Sequence, residues 1–98
     1  MKVIFRWWPE ADDVIALFPE HPADYSGRFC VCYQHVGQHG SADLEYMMGE
    51  TRPATFAEAL PLYEELREIG YDDLEPTDEV DSALAREVRE EKLGAFKE

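Results

Sequence analysis

His35 and His39 stand four residues apart, with Cys30 and Cys32 just ahead of them and His21 further back. Imidazole and thiolate are the ligands zinc prefers, and a zinc site takes three or four of them. The i, i+4 spacing brings ligands together on a helix. Here, however, the pair straddles a predicted strand end and a glycine turn, and neither CxxC nor HExxH occurs. Two residues apart on a strand, Cys30 and Cys32 point to one face, a poor geometry for a mutual disulfide. They read as reduced, half-buried thiols packed as small apolar groups, and the histidines as loop residues. A Cys32 nucleophile with His35 or His39 as its base requires a meeting in space that spacing alone does not provide. Gly37-x-x-Gly40 is too short for a phosphate loop. The expectation is a protein that is not an enzyme and carries no metal or cofactor.

Asp72, Asp73, Glu75, Asp78, Glu79 and Asp81 bring carboxylates close enough in sequence to suggest calcium. The D-x-[DN]-x-[DN]-G order of a calcium loop is missing, and Pro76 interrupts the run. Trp7 and Trp8 are adjacent, so a strand sends them to opposite faces. An exposed Trp8 would make a binding anchor, since tryptophan is enriched among interface hot spots.

The elements that must position these groups follow from periodicity and punctuation. Residues 2–8 alternate around Val3, Phe5 and Trp7 and predict a strand; turn residues 9–13 join it to a second at 14–18, an antiparallel hairpin. Residues 19–27, with Pro19, Pro22, Asp24 and Gly27, read as a surface loop. Residues 28–36 predict a third strand, apolar on both faces and therefore central. The segment 37–40 ends it, and Ser41 is positioned to cap a short helix over 42–48, although a strand also fits. Thr55 and Glu58 form a capping box that opens a helix over 55–69, which Gly70 stops. Phe56, Ala59, Leu60, Tyr63 and Leu66 gather on its inner side, and Glu58, Glu64, Glu65 and Glu68 on the outer. Pro61 falls in its interior, so the helix either bends or starts later than the box. Residues 71–75 predict a short edge strand broken by Pro76. A last helix over 79–93, capped by Thr77 or Asp78 and ended by Gly94, shows only Val80, Leu84 and Val88 as a thin apolar stripe. The fold class is thus α+β: a three- to four-stranded, mainly antiparallel sheet, a packed helix and a peripheral C-terminal helix, in one domain spanning 1–98.

Charge sets the functional frame. Of the net charge of −13, residues 43–81 carry −11, with thirteen acids against Arg52 and Arg67 alone. Segregation of this kind describes a surface, disfavours binding to nucleic acid and favours a partner with a basic groove. Residues 55–75 hold seven acids and Arg67. A helix of fifteen residues spans ~22 Å, a length over which duplex DNA presents about 13 phosphates. Roughly half of those phosphates face any one protein, so the net of six charges over residues 55–75 has a comparable density. Residues 1–6 lack the apolar stretch of a signal peptide and no run approaches the ~20 apolar residues of a membrane span, so the expected location is cytoplasmic.

The run from Cys32 to Gly40, reading CYQHVGQHG, together with Pro53-Ala54-Thr55 and Ile69-Gly70-Tyr71, resembles uncharacterised small acidic proteins of phages and other mobile elements. The likeness covers most of residues 1–75. By size and charge that group is similar to anti-CRISPR proteins, several of which imitate DNA and block the groove their target uses. The resemblance implies a host-cytoplasmic inhibitor, monomeric or weakly dimeric, of a nucleic-acid-binding complex such as a CRISPR effector. Glu58, Glu64, Glu65, Glu68, Asp72, Asp73, Glu75, Asp78 and Glu79 would face the partner. The alternatives are a regulatory or assembly protein acting through Trp8 and the 80/84/88 stripe by self-association, or a His/Cys metal-binding protein.

Overall fold

A computed structural model of the chain describes residues 1–35 and 37–97, and the side chains of residues 1–35 and 37–94. The architecture is α+β. Its strands are β1 (Lys2–Trp8), β2 (Asp13–Pro22), β3 (Cys30–Gln34), β4 (Gln38–Ala42), β5 (Arg52–Pro53) and β6 (Glu75–Pro76), and its helices α1 (Leu44–Glu50), α2 (Phe56–Glu68) and α3 (Ser82–Lys97). The sheet runs β4-β3-β2-β1-β5, and β6 also lies on β1. Pairing is antiparallel except between β1 and β6. The two-residue strands share one edge of β1: β6 beside Lys2 and Val3, β5 beside Arg6 and Trp7.

Alternation along each strand divides the core into two layers. Val3, Phe5, Val14, Ala16, Phe18 and Tyr33 face Leu62 and Leu66 of α2. Ile4, Ile15, Leu17, Cys30 and Cys32 face Leu44 and Met47 of α1 and Ala85 of α3. Trp7 joins the first layer and Trp8 the second, the opposite-face placement expected of adjacent residues. With both faces covered, β2 is buried from Val14 to Pro19.

Several boundaries differ from the sequence expectation, each for a local reason. The second strand does not stop at residue 18. It continues through Pro19 and Pro22, with a register shift between Phe18 and Pro22 that accommodates residues unable to donate to a ladder. The third begins at Cys30 rather than 28 and ends at Gln34; Val36, its expected last residue, lies outside the described residues. Residues 38–42 form a strand where a turn over 37–40, a cap at Ser41 and the start of a helix at 42 were expected, because Gln34 pairs with Gln38 to close a hairpin. Gly37 supplies the left-handed φ of 75° which the turn needs. The following helix is consequently capped by Asp43, not Ser41. The capping box at Thr55 and Glu58 forms as expected, and α2 starts there with Pro61 inside it. The strand expected over 71–75 is reduced to Glu75–Pro76 and includes the proline, whose missing N–H leaves its partner strand intact at an edge. Asp81 caps α3, its carboxylate accepting from Leu84 N at 3.0 Å, and the helix passes through Gly94. Nor is α3 peripheral: Ala85, Arg89 and Leu93 are buried, whereas Leu84 of the expected stripe is 54% exposed.

Candidate functional site

The acids expected to meet a partner separate into two groups. Glu64, Glu68, Asp72, Asp73, Glu75, Asp78 and Glu79 are exposed. Glu64 and Glu68 follow Phe56 and Leu60 in a column of i, i+4 neighbours along α2. Gly70, at φ 121°, turns the chain back so that Tyr71 N donates to Leu66 O at 3.1 Å, and Asp72 and Asp73 continue directly from the helix end. Glu75 then stands beside Lys2 on the sheet edge. Burial lowers the basicity of Arg6, and the charge of Asp78 opposes part of that lowering. The exposed carboxylates therefore form a band that bends round the β1 edge, from the α2 layer towards α1 and α3.

Glu58 and Glu65 are held by the fold itself. Glu58 takes both guanidinium nitrogens of Arg52, at 2.8 and 2.7 Å, and its Oε1 also accepts from Thr55 N. The Arg52 hydrogen bonds, then those of the cap, bring its carboxyl down to about 2. Glu65 accepts from the Tyr33 hydroxyl and meets His35 Nδ1. Sequence reasoning placed both on the outer helix face, but helical phase does not show which outer positions a neighbouring hairpin or strand will reach.

Most basic side chains are engaged away from the band; the cations beside it are the Met1 ammonium, 3.7 Å from the Asp73 carboxylate, and exposed Arg67 between Glu64 and Glu68. Arg6 and Arg89 are buried and bind main-chain carbonyls instead of carboxylates. Arg6 donates to Met48 O and Thr51 O at the end of α1, where a cation also meets the negative end of the helix dipole. Arg89 donates to Gly27 O, Pro19 O and Arg28 O, tying α3 to the β2–β3 connection. Lys2 pairs with Glu20, Arg28 with Asp43, Arg52 with Glu58 and Arg86 with Glu90.

A second cluster lies where the β3–β4 hairpin meets the end of α2. The buried Tyr33 hydroxyl donates to Glu65 and accepts from Gly37 N at 2.9 Å, and its bond to the carboxylate pushes the phenol pKa up. His39 packs edge-on against the Tyr33 ring at 4.7 Å and bonds Tyr71 Oη through Nε2 at 3.0 Å. These contacts lock the hairpin onto the α2 layer. The two histidines part company here: His35 sits in the turn and His39 opposite Tyr33 in β4.

Cys30 and Cys32 share a face, as expected, and both are free and buried. Burial pushes the Cys30 thiol up to about 11 and raises that of Cys32. A thiol so disfavoured as thiolate is a poor nucleophile and a poor metal ligand. Among the described residues no three His, Cys, Asp or Glu side chains converge as a metal site. Trp8 is half-buried against the α1 and α3 layer, with Nε1 lacking an acceptor among the described residues; it is not an exposed anchor. Among the described residues no helix is long and apolar enough to cross a membrane.

No protein-family model matches this chain, and no curated protein or solved structure is detectably similar to it.

Proposed function

We propose that this chain is a non-enzymatic acidic inhibitor of the host cytoplasm that occupies the basic groove of a nucleic-acid-binding complex, in the manner of DNA-imitating anti-CRISPR proteins. The observation that carries the reading is the band Glu64, Glu68, Asp72, Asp73, Glu75, Asp78 and Glu79. These side chains are exposed and outnumber the cations beside them, the Met1 ammonium at Asp73 and Arg67 on α2, while the two buried arginines bind carbonyls and four further bases pair with other acids. Carboxylates so arranged offer a lysine- and arginine-lined groove what phosphates offer it, and association is steered by charge and weakened by salt. Burial of both thiols supports a role in binding rather than catalysis. The reversal that tests it spares Glu58 and Glu65, which hold the fold. Glu64→Lys, Glu68→Lys and Asp72→Lys together, with an unchanged circular dichroism spectrum, should abolish inhibition of DNA cleavage by a purified RNA-guided nuclease. Undiminished inhibition by the triple variant would remove the mimicry mechanism.

A further inference from the structure

Beside the acidic band lies a hollow of ≈ 370 Å³ lined by Phe5, Phe56, Ala59, Leu60, Tyr63 and Pro76. Phe5 and Tyr63 form its floor, edge to face at 6.3 Å and 70°. Phe56, in the first turn of α2, stands 80% exposed at its wall. The expectation from helical periodicity placed Phe56 in the core. The packed face instead runs through Ala59, Leu62, Tyr63 and Leu66, which leaves Phe56 and Leu60 at the margin with apolar surface open to water. A large aromatic ring kept in solvent beside an apolar hollow marks a contact site.

The surroundings state what kind of partner fits. Leu60 is followed one turn later by exposed Glu64, and Pro76 is preceded by exposed Glu75, so carboxylates flank the hollow on α2 and on β6. A second copy of the chain would bring these acids against their own counterparts, at a net charge of −13 each, and phosphate would be repelled in the same way. Resting on the proposed function, we infer that the hollow receives an aliphatic or aromatic side chain projecting from a lysine- or arginine-rich segment of the partner protein. The band supplies steering and the hollow supplies an anchor. Recognition is thereby restricted to basic surfaces that carry an apolar residue among their charges, a discrimination that carboxylates alone do not make.

Two synthetic peptides of equal length and charge separate the contributions: one of lysines with two leucines a helical turn apart, the other with serines in place of the leucines. Their binding to the whole chain is followed by calorimetry and by amide chemical shifts, at low and at 300 mM salt. The leucine peptide is expected to bind about tenfold or more tighter, with shifts centred on residues 56–63 and 76. Phe56→Ser, a change at an exposed position, should erase that advantage while leaving salt-sensitive binding of the serine peptide. Equal affinities, with shifts confined to residues 64–79, would overturn the anchor and leave the acidic band standing. Binding of neither peptide at low salt would overturn both. Concentration-dependent sedimentation that Phe56→Ser abolishes would give the hollow to a second copy, and the inference would fail.

Discussion

Arg89 and Arg86 sit one turn apart on α3 and illustrate how differently the same side chain contributes. Arg86 pairs with Glu90 at 3.0 Å in solvent, and Arg86→Ala should change stability by about 0.5 kcal/mol or less. Arg89 is 3% exposed and satisfies three carbonyls, so Arg89→Met should cost about 3 kcal/mol in urea unfolding by leaving acceptors buried without donors. Glu58 gives a pH signature. Its folded-state pKa of about 2 lies below the ordinary glutamate value near 4.3, so the stability it contributes is present above pH ~5 and is lost as pH falls towards 2. In Arg52→Ala this part of the acid sensitivity should shrink, seen as a smaller difference in midpoint between pH 6 and pH 3. Glu65 shows where reading single residues ran out. Its outward position on the helix was legible, but its engagement by Tyr33 and His35 depends on a hairpin thirty residues earlier in the chain.

At the scale of elements, the signals that worked were those whose physics is local. The Thr55–Glu58 box predicted the start of α2 because both hydrogen bonds lie within one turn, and Thr55→Ala should lower stability by about 1 kcal/mol. Gly70 predicted its end for the same reason. Pro61 was read correctly as an anomaly: it occupies the helix interior, where it has no N–H to give to the helical ladder. At this exposed position Pro61→Ala should raise the thermal midpoint by several degrees, the equivalent of about 1 kcal/mol or more. What stayed hidden depended on distant partners. Pro19 and Pro22 resemble a loop until β3 pairs with the strand and Arg89 donates to the Pro19 carbonyl. Gln38–Ala42 has no strand pattern of its own, and only the ladder with β3 makes it one. The thin stripe of the last helix was misleading because Arg89, a charged residue, belongs to its packed side.

At the scale of the whole molecule, segregated charge and a sheet covered on both faces act against each other. Repulsion within the acidic band opposes compaction and is screened by salt. Raising sodium chloride from 10 to 500 mM should therefore raise the thermal midpoint, an effect that the triple lysine variant of the band should lack. Differential scanning calorimetry of the two proteins decides this. The sheet itself was foreseen with three to four strands: β1, β2 and β3 supply three, β4 and the two residues of β5 were not foreseen, and the fourth expected over 71–75 is reduced to the two residues of β6. Yet those small strands complete β1, from positions about 45 and 73 residues downstream of their partners. During synthesis, then, the apolar first hairpin emerges from the ribosome with both backbone edges unpaired; β3 covers the β2 edge early, but the β1 edge is not complete until residue 76 has cleared the exit tunnel. For most of translation the nascent chain is a candidate for chaperone capture, and slowing elongation should lower the yield of native protein instead of raising it.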